Sequence, residues 1–179
     1  MKYLLLIIGL FVAVPSFSQA TEITPQVQKK IKQDIEKEIP KLRQHLISKK
    51  ETPVRIEFIT DTFRLEQFVI KWIDLDNTDF GMKEAAYEVA RLYDSLMNKY
   101  YKKLLATLKG KDKNILIQAQ KAWIAFRDSE TTLVETISKD DYAGGGTMQR
   151  LTEASKYLSL IKNRTIALFH HYLRASQNE

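Results

Sequence analysis

The chain has 179 residues, 28 basic against 22 acidic side chains, no cysteine, and only six glycines and four prolines. A chain of this size buries most of its apolar surface as one domain and needs no covalent staple; the missing cysteine excludes disulfides, thiolate nucleophiles and lipid attachment through sulfur. Glycine and proline are few and clustered, so long segments run uninterrupted, and such segments carrying 28% charged residues read as helices.

In chain order, Lys2 precedes an apolar run from Leu4 to Val14, and Ser16-Phe17-Ser18 places small residues where a signal peptidase reads them. The run is shorter than the roughly 20 residues a membrane-spanning helix requires. Residues 1–18 are expected to be a signal peptide cut near Ser18, leaving a periplasmic or secreted protein that does not span a membrane. The 161 residues of 19–179 carry 27 basic and 22 acidic side chains, a formal charge of +5, and are expected to form one helical domain.

Thr24-Pro25 is a cap followed by a first-turn proline, and Val27, Ile31, Ile35, Ile39 and Leu42 follow at near-helical spacing. Pro40 should kink or split that helix, and Lys49-Lys50 should close it. Thr52-Pro53 repeats the start signal. Val54, Ile56 and Phe58 alternate as in a strand, whereas Ile56, Ile59, Phe63, Ile70 and Ile73 make one helical stripe. Length favours a helix to Ile73, with a short strand over Val54 to Phe58 left open.

Asp74 to Asp79 is a polar turn. Asp74, Asp76 and Asp79 hint at a calcium loop, but its glycine and terminal glutamate are misplaced, so a helix-capping turn is expected. Met82, Ala86, Val89, Leu92, Leu96 and Leu104 then mark a helix to about Leu108, ended by Gly110. The next helix, from about Asp112, carries Ile115, Ala119, Ala122, Trp123, Phe126, Leu133 and Ile137. The last, from Thr147, carries Leu151, Ala154, Leu158, Ile161, Thr165, Leu168 and Tyr172 in steps of three and four. That seam suits helices interlocking at shallow angles. The expected fold is all-α, an antiparallel bundle of about four to five long helices.

Catalytic chemistry finds little support. No serine has a histidine and carboxylate at recognisable spacing, no zinc-binding spacing occurs, and no cofactor motif is present. His170 and His171 read as capping groups near a helix C-terminus. Gly144-Gly145-Gly146 lacks the lysine and preceding strand of a phosphate loop; the glycines are expected to take positive φ angles, with Thr147 capping the next helix. Lys99 to Lys113 mixes Tyr100 and Tyr101 with Lys102, Lys103, Lys109 and Lys111. Export argues against nucleic acid, so this face would meet anionic envelope polymer, a membrane partner or only water.

The most informative stretch is Gln120 to Glu130. Gln120, Trp123 and Arg127 stand at i, i+3 and i+7 and share one helix face, with Glu130 within ion-pair reach of Arg127. On a structural reading Trp123 fills core while Gln120 and Arg127 tether helix ends and loop carbonyls; on a functional one the same face recognises a partner.

The pattern Gln-x-x-Trp-x-x-Phe-Arg-Asp, the upstream Asp94-Ser95-Leu96-Met97-Asn98-Lys99-Tyr100-Tyr101, the Gly-Gly-Gly-Thr turn and Asn163-Arg164-Thr165 together resemble the LprI-like lysozyme-inhibitor family over roughly residues 82–172. Residues 24–74 would be a helical extension. The resemblance implies an exported, non-catalytic helical domain acting on lysozyme or another cell-wall hydrolase, with Asp94, Asn98, Tyr101, Gln120, Trp123, Arg127, Asp128, Thr147 and Arg164 as motif scaffold. It also implies a disulfide in related members, at positions that match Thr131 and Lys156 here. Asp140, Asp141 and Tyr142, with Gly144, Gly145 and Gly146 behind them, form the turn expected to contact the partner.

Overall fold

The computed structural model describes residues 21–176. Within them the chain forms six helices and no strand: α1 (Pro25–Ser48), α2 (Pro53–Leu75), α3 (Asp79–Thr107), α4 (Asp112–Ile137), α5 (Asp140–Ala143) and α6 (Gly146–Ala175). The expected leader, residues 1–18, lies outside the described residues. Among the described residues no helix is long and apolar enough to cross a membrane.

Three helices start as their sequences dictate. The Thr24 hydroxyl accepts from the Val27 amide at 3.3 Å, Thr52 from Arg55 at 3.4 Å and Thr78 from Gly81 at 3.0 Å, and proline occupies the first turn of α1 and α2. Each cap satisfies an amide that would otherwise lack a partner. Asp76 accepts from the Thr78 amide at 3.1 Å and hydroxyl at 2.6 Å, so the Asp74 to Asp79 segment is the capping turn its sequence suggests. Val54 to Phe58 is helical, which resolves the alternative in favour of α2.

Pro40 does not split α1, which runs unbroken from Pro25 to Ser48. The proline stands on the exposed side, where water can reach the freed carbonyl, while Ile31, Ile35, Ile39 and Leu46 stay buried on both sides of it. Arg64 also grips Glu36 one turn earlier with bonds of 2.6 and 3.0 Å. Packing on α2 thus outweighs the one lost backbone bond.

Cross-helix pairs give the topology. α1 and α2 run antiparallel through Glu36 with Arg64 and Lys32 over Phe68. α2 and α3 do so through Glu57 with Lys103, Asp61 with Lys99, and Glu66 with Tyr93. α4 descends beside α3 and α6, with Gln120 reaching Met97 and Arg164. Consecutive long helices are therefore antiparallel. The most intimate pair, α3 with α6, is parallel: Tyr87 lies near Tyr157, Tyr93 near Lys162, and Tyr100 against Phe169 and Tyr172. Ala85, Ala90 and Ala154 are wholly buried and let these backbones approach, and the Thr165 hydroxyl donates to the carbonyls of Ile161 at 2.9 Å and Tyr93 at 3.2 Å.

The core joins α1, α2, α3 and α6 through Ile35, Phe68, Val89, Tyr93, Tyr100, Ile161 and Leu168. In α2 the buried line is Ile56, Thr60, Phe68 and Trp72, and Ile70, expected in the stripe, is 47% exposed. Burial pushes the phenols of Tyr93 and Tyr100 well above their usual range, reinforced at Tyr93 by its bond to Glu66. A phenol whose folded pKa is raised stabilises the fold below its unfolded value and loses that contribution as pH climbs beyond it. Unfolding on alkaline titration is accordingly expected to begin above about pH 10. Tyr93 and Tyr100 should ionise only together with the loss of helical circular dichroism; ionisation of those two phenols in a still-folded chain would contradict the assignment.

The largest departure is in α4. Of its expected stripe of Ile115, Ala119, Ala122, Trp123, Phe126, Leu133 and Ile137, Trp123 is half-buried against the core and the other six are exposed, Ile115 at 68% and Phe126 at 53%. The face turned inward is Leu116, Gln120, Trp123, Arg127 and Val134, each one residue later in the chain. One residue is about 100° of helix rotation.

Candidate functional site

The motif residues of α4 converge on α6. Gln120, 8% exposed, accepts through Oε1 from Arg164 Nε at 2.9 Å and directs its amide at Met97 Sδ, 3.8 Å away. Trp123 lies half-buried with two guanidinium groups near its ring, Arg127 at 5.5 Å and Arg164 at 5.8 Å from the centroid. Such cation–π contacts stabilise a partly desolvated arginine. Desolvation holds the Arg164 guanidinium below its usual pKa.

Several roles expected of these residues change. Gln120 and Arg127 do not tether helix ends or loop carbonyls. Gln120 bonds to side chains of neighbouring helices, and Arg127 bonds to adjacent Asp128 at 2.8 and 2.6 Å rather than to Glu130. Trp123 packs against the core from its edge rather than filling it. Asp94 accepts from Asn98 at 3.1 Å on the exposed side of α3, and Tyr101 is half-buried against the core. Thr147 does not cap α6: Gly145 is the capping residue, the helix begins at Gly146, and the Thr147 hydroxyl meets Asp79 at 3.2 Å instead. His170 and His171 are exposed and precede the last turn of α6, whose basic residue is Arg174, so they are not its cap.

Among the described residues, Gln120 and Arg164 form the one side-chain hydrogen bond between α4 and α6. Gln120→Leu is expected to cost about 1–3 kcal/mol, because Arg164 keeps its burial but loses its acceptor. Combining it with Arg164→Met should cost measurably less than the two single changes summed, by at least about 0.5 kcal/mol in urea denaturation. Simple additivity would show that the bond contributes nothing.

The turn between α4 and α6 is a single helical turn, Asp140–Ala143, followed by three glycines with φ of +79°, +60° and +85°. Asp140, Asp141 and Tyr142 are all exposed, Tyr142 at 71%. Gly145 holds a φ of +60°, which favours glycine, and a Cβ there would stand 2.0 Å from Asp140 Oδ1 and oblige that exposed carboxylate to move. Gln149 Nε2 donates to the Ala143 carbonyl at 3.1 Å and ties the turn to α6. The six residues of the expected contact turn thus stand together at one end of the bundle.

Beside the turn lies a groove of about 350 Å³ that sequence reasoning missed, lined by Tyr87, Thr131, Val134, Glu135, Glu153, Lys156, Tyr157 and Leu160. Burial, then Glu153, Glu135 and Glu84, push the Tyr87 phenol up. Thr131 of α4 and Lys156 of α6 both line this groove. A second hollow of about 290 Å³ shares Glu135 and Glu153 with it and continues to Asp140, Gly145 and Gly146. Among the described residues no group of three or more histidine or acidic side chains could hold a metal ion.

Gln120, Trp123 and Arg164 of the motif thus pack together where α4 meets α6, and the polar turn projects into solvent. Residues 74–168, just over half of the chain, match the family model described as lysozyme inhibitor LprI. The chain belongs to that family. No curated protein and no solved structure matches it.

Proposed function

We propose that the protein is exported and, without catalysing a reaction, blocks a cell-wall hydrolase of the lysozyme class by inserting the Asp140–Ala143 turn into the saccharide-binding cleft. The observation that carries this reading is the exposed pair of carboxylates and the 71% exposed Tyr142 ring, set on a glycine-fixed turn in a chain of this family. Carboxylates and an aromatic ring can occupy the polar and stacking positions that a sugar chain uses.

A second reading has the lysines of α3 and the following turn hold anionic wall polymer or a membrane partner. The geometry favours it less. Lys99 lies 2.7 Å from Glu57 and 2.5 Å from Asp61, and Lys103 lies 2.6 Å from Glu57. Burial opposes ionisation of Glu57, but the hydrogen bonds from Lys103 and Lys99 outweigh it and keep the carboxyl below its usual range. Two of the basic groups are thus already neutralised by α2, leaving Lys102, Lys109 and Lys111 exposed.

A cell-wall lysis assay with several lysozyme types, run beside a wall-polymer pull-down, tests the proposal. Protection of the wall without retention on polymer is expected; retention without protection would replace inhibition by the second reading. Animal-type lysozymes are usually basic, as is this chain, with a sequence pI of about 9.3. Contact therefore occurs against overall repulsion, and affinity should rise as moderate salt screens it.

A further inference from the structure

The groove walled by α3, α4 and α6 combines two aromatic rings with two carboxylates. Tyr87 of α3 and Tyr157 of α6 both line it, their ring centroids 6.4 Å apart and their planes inclined at 49°, so the rings are neither stacked nor edge to face. A positively charged group lodged beside both rings can stand within the roughly 6 Å of each centroid at which a ring attracts a cation. Glu135 of α4 and Glu153 of α6 line the same space. Among the described residues neither of these carboxylates is in an ion pair.

The cations of the chain itself serve other rings. Lysines or arginines lie over Phe68, Phe80, Tyr93, Tyr100, Trp123 and Tyr172, but among the described residues none lies over Tyr87 or Tyr157. Lys156, the one basic residue lining the groove, is exposed and pairs with neither glutamate. Burial, then the carboxylates of Glu153, Glu135 and Glu84, raise the Tyr87 phenol, which marks a negative field at that ring.

We propose that this groove binds a guanidinium or ammonium group, and that in the inhibitory complex the group is an arginine or lysine side chain of the hydrolase. The occupant rests on the inhibitory reading; the site does not. At about 350 Å³ the groove lies at the lower end of the roughly 300–1,000 Å³ usual for small-molecule sites, which suits one long side chain. Val134 and Leu160 supply apolar wall for the methylene stem while the rings and carboxylates receive its charged head. Continuity points to the hydrolase. The hollow that shares Glu135 and Glu153 runs on to Asp140, Gly145 and Gly146, so a partner seated on the turn also covers the groove. Lys139 and Arg150 line that hollow but not the groove.

Titration of the purified protein with N-acetyl-arginine amide, followed by the NMR resonances of the Tyr87 and Tyr157 rings, tests the site; N-acetyl-citrulline amide is the uncharged control. Shifts of both rings are expected with the arginine probe, at an affinity at least about tenfold above that of the control. Glu135→Gln with Glu153→Gln should weaken the probe by about tenfold or more, and Tyr87→Leu by about fivefold. Lys156→Gln, which removes a competing charge, should tighten it by roughly two- to threefold. Helical circular dichroism should be unchanged in all of these, because each side chain is partly or largely exposed. Equal binding of the two probes, or binding indifferent to the double glutamine variant, would overturn the site. In the lysis assay the same double variant should weaken protection by about tenfold or more. Protection that survives the double variant but is lost on changing the turn would remove the groove from the complex and leave the turn. Probe binding by a chain that protects against no lysozyme would keep the site and remove the hydrolase as its occupant.

Discussion

Phe169→Ala is expected to lower the stability of the fold by about 3–5 kcal/mol. Phe169 is 3% exposed and stands where three helices meet. Its ring lies parallel to Phe58 of α2 with centroids 3.7 Å apart, and meets Tyr100 of α3 edge-on at 5.3 Å, while Phe58 and Tyr100 are themselves edge to face at 5.2 Å. Removing the ring forfeits its transfer energy, opens a cavity whose rigid aromatic walls cannot collapse, and breaks two ring contacts at once. In urea the midpoint should fall with little change in slope, and the thermal midpoint should drop by roughly 6–20 °C for a domain of this size. Phe169→Leu, which refills most of the space, should recover more than half of the loss. A Phe169→Ala penalty below about 1 kcal/mol would mean that the cluster is not the keystone its geometry makes it.

The second large effect concerns binding rather than folding. Changing Asp140 and Asp141 to Asn together with Tyr142→Ala should leave stability within about 0.5 kcal/mol, because all three side chains are exposed and none is in the core. Protection in the lysis assay should nevertheless fall by roughly thirtyfold or more. Aromatic anchors at an interface centre contribute about 2 kcal/mol or more, and on the proposed reading the two carboxylates add local attraction to a basic partner. Unchanged protection by a folded triple variant would remove the turn from the contact surface, and the groove lined by Tyr87, Glu135, Glu153 and Tyr157 would be the next place to look.

The helices themselves were legible because their signals are local. Thr24-Pro25 and Thr52-Pro53 announce starts through one hydroxyl and one ring, Gly144 to Gly146 announce a turn that only glycine can make, and the seam of Ala154, Ile161, Thr165 and Leu168 points to a face that is indeed buried. The failures have a common source. Pro40 carries a strong local signal for a break, yet buried isoleucine on one side and leucine on the other hold the helix on α2. Thr147 is an excellent cap by residue type, but the glycine backbone before it had already begun the helix, and the hydroxyl found Asp79, 68 positions away. Arg127 had Glu130 one turn along its helix and took Asp128 instead.

By itself the sequence determined that this chain is helical, where most helices begin and end, and to which family it belongs, since caps, periodicity and motif spacing act over a few residues. Tertiary structure alone decided that α3 and α6 run parallel and that α4 is turned so that polar Gln120 and Arg127 face inward while Phe126 faces out. An amphipathic pattern states that a stripe is to be covered without stating by what. The answer for α4 depends on a 2.9 Å bond between Gln120 and Arg164, 44 positions apart, and on a tryptophan ring that lies near two guanidinium groups. A rotation of one residue step, which no local rule specifies, follows from those distant partners.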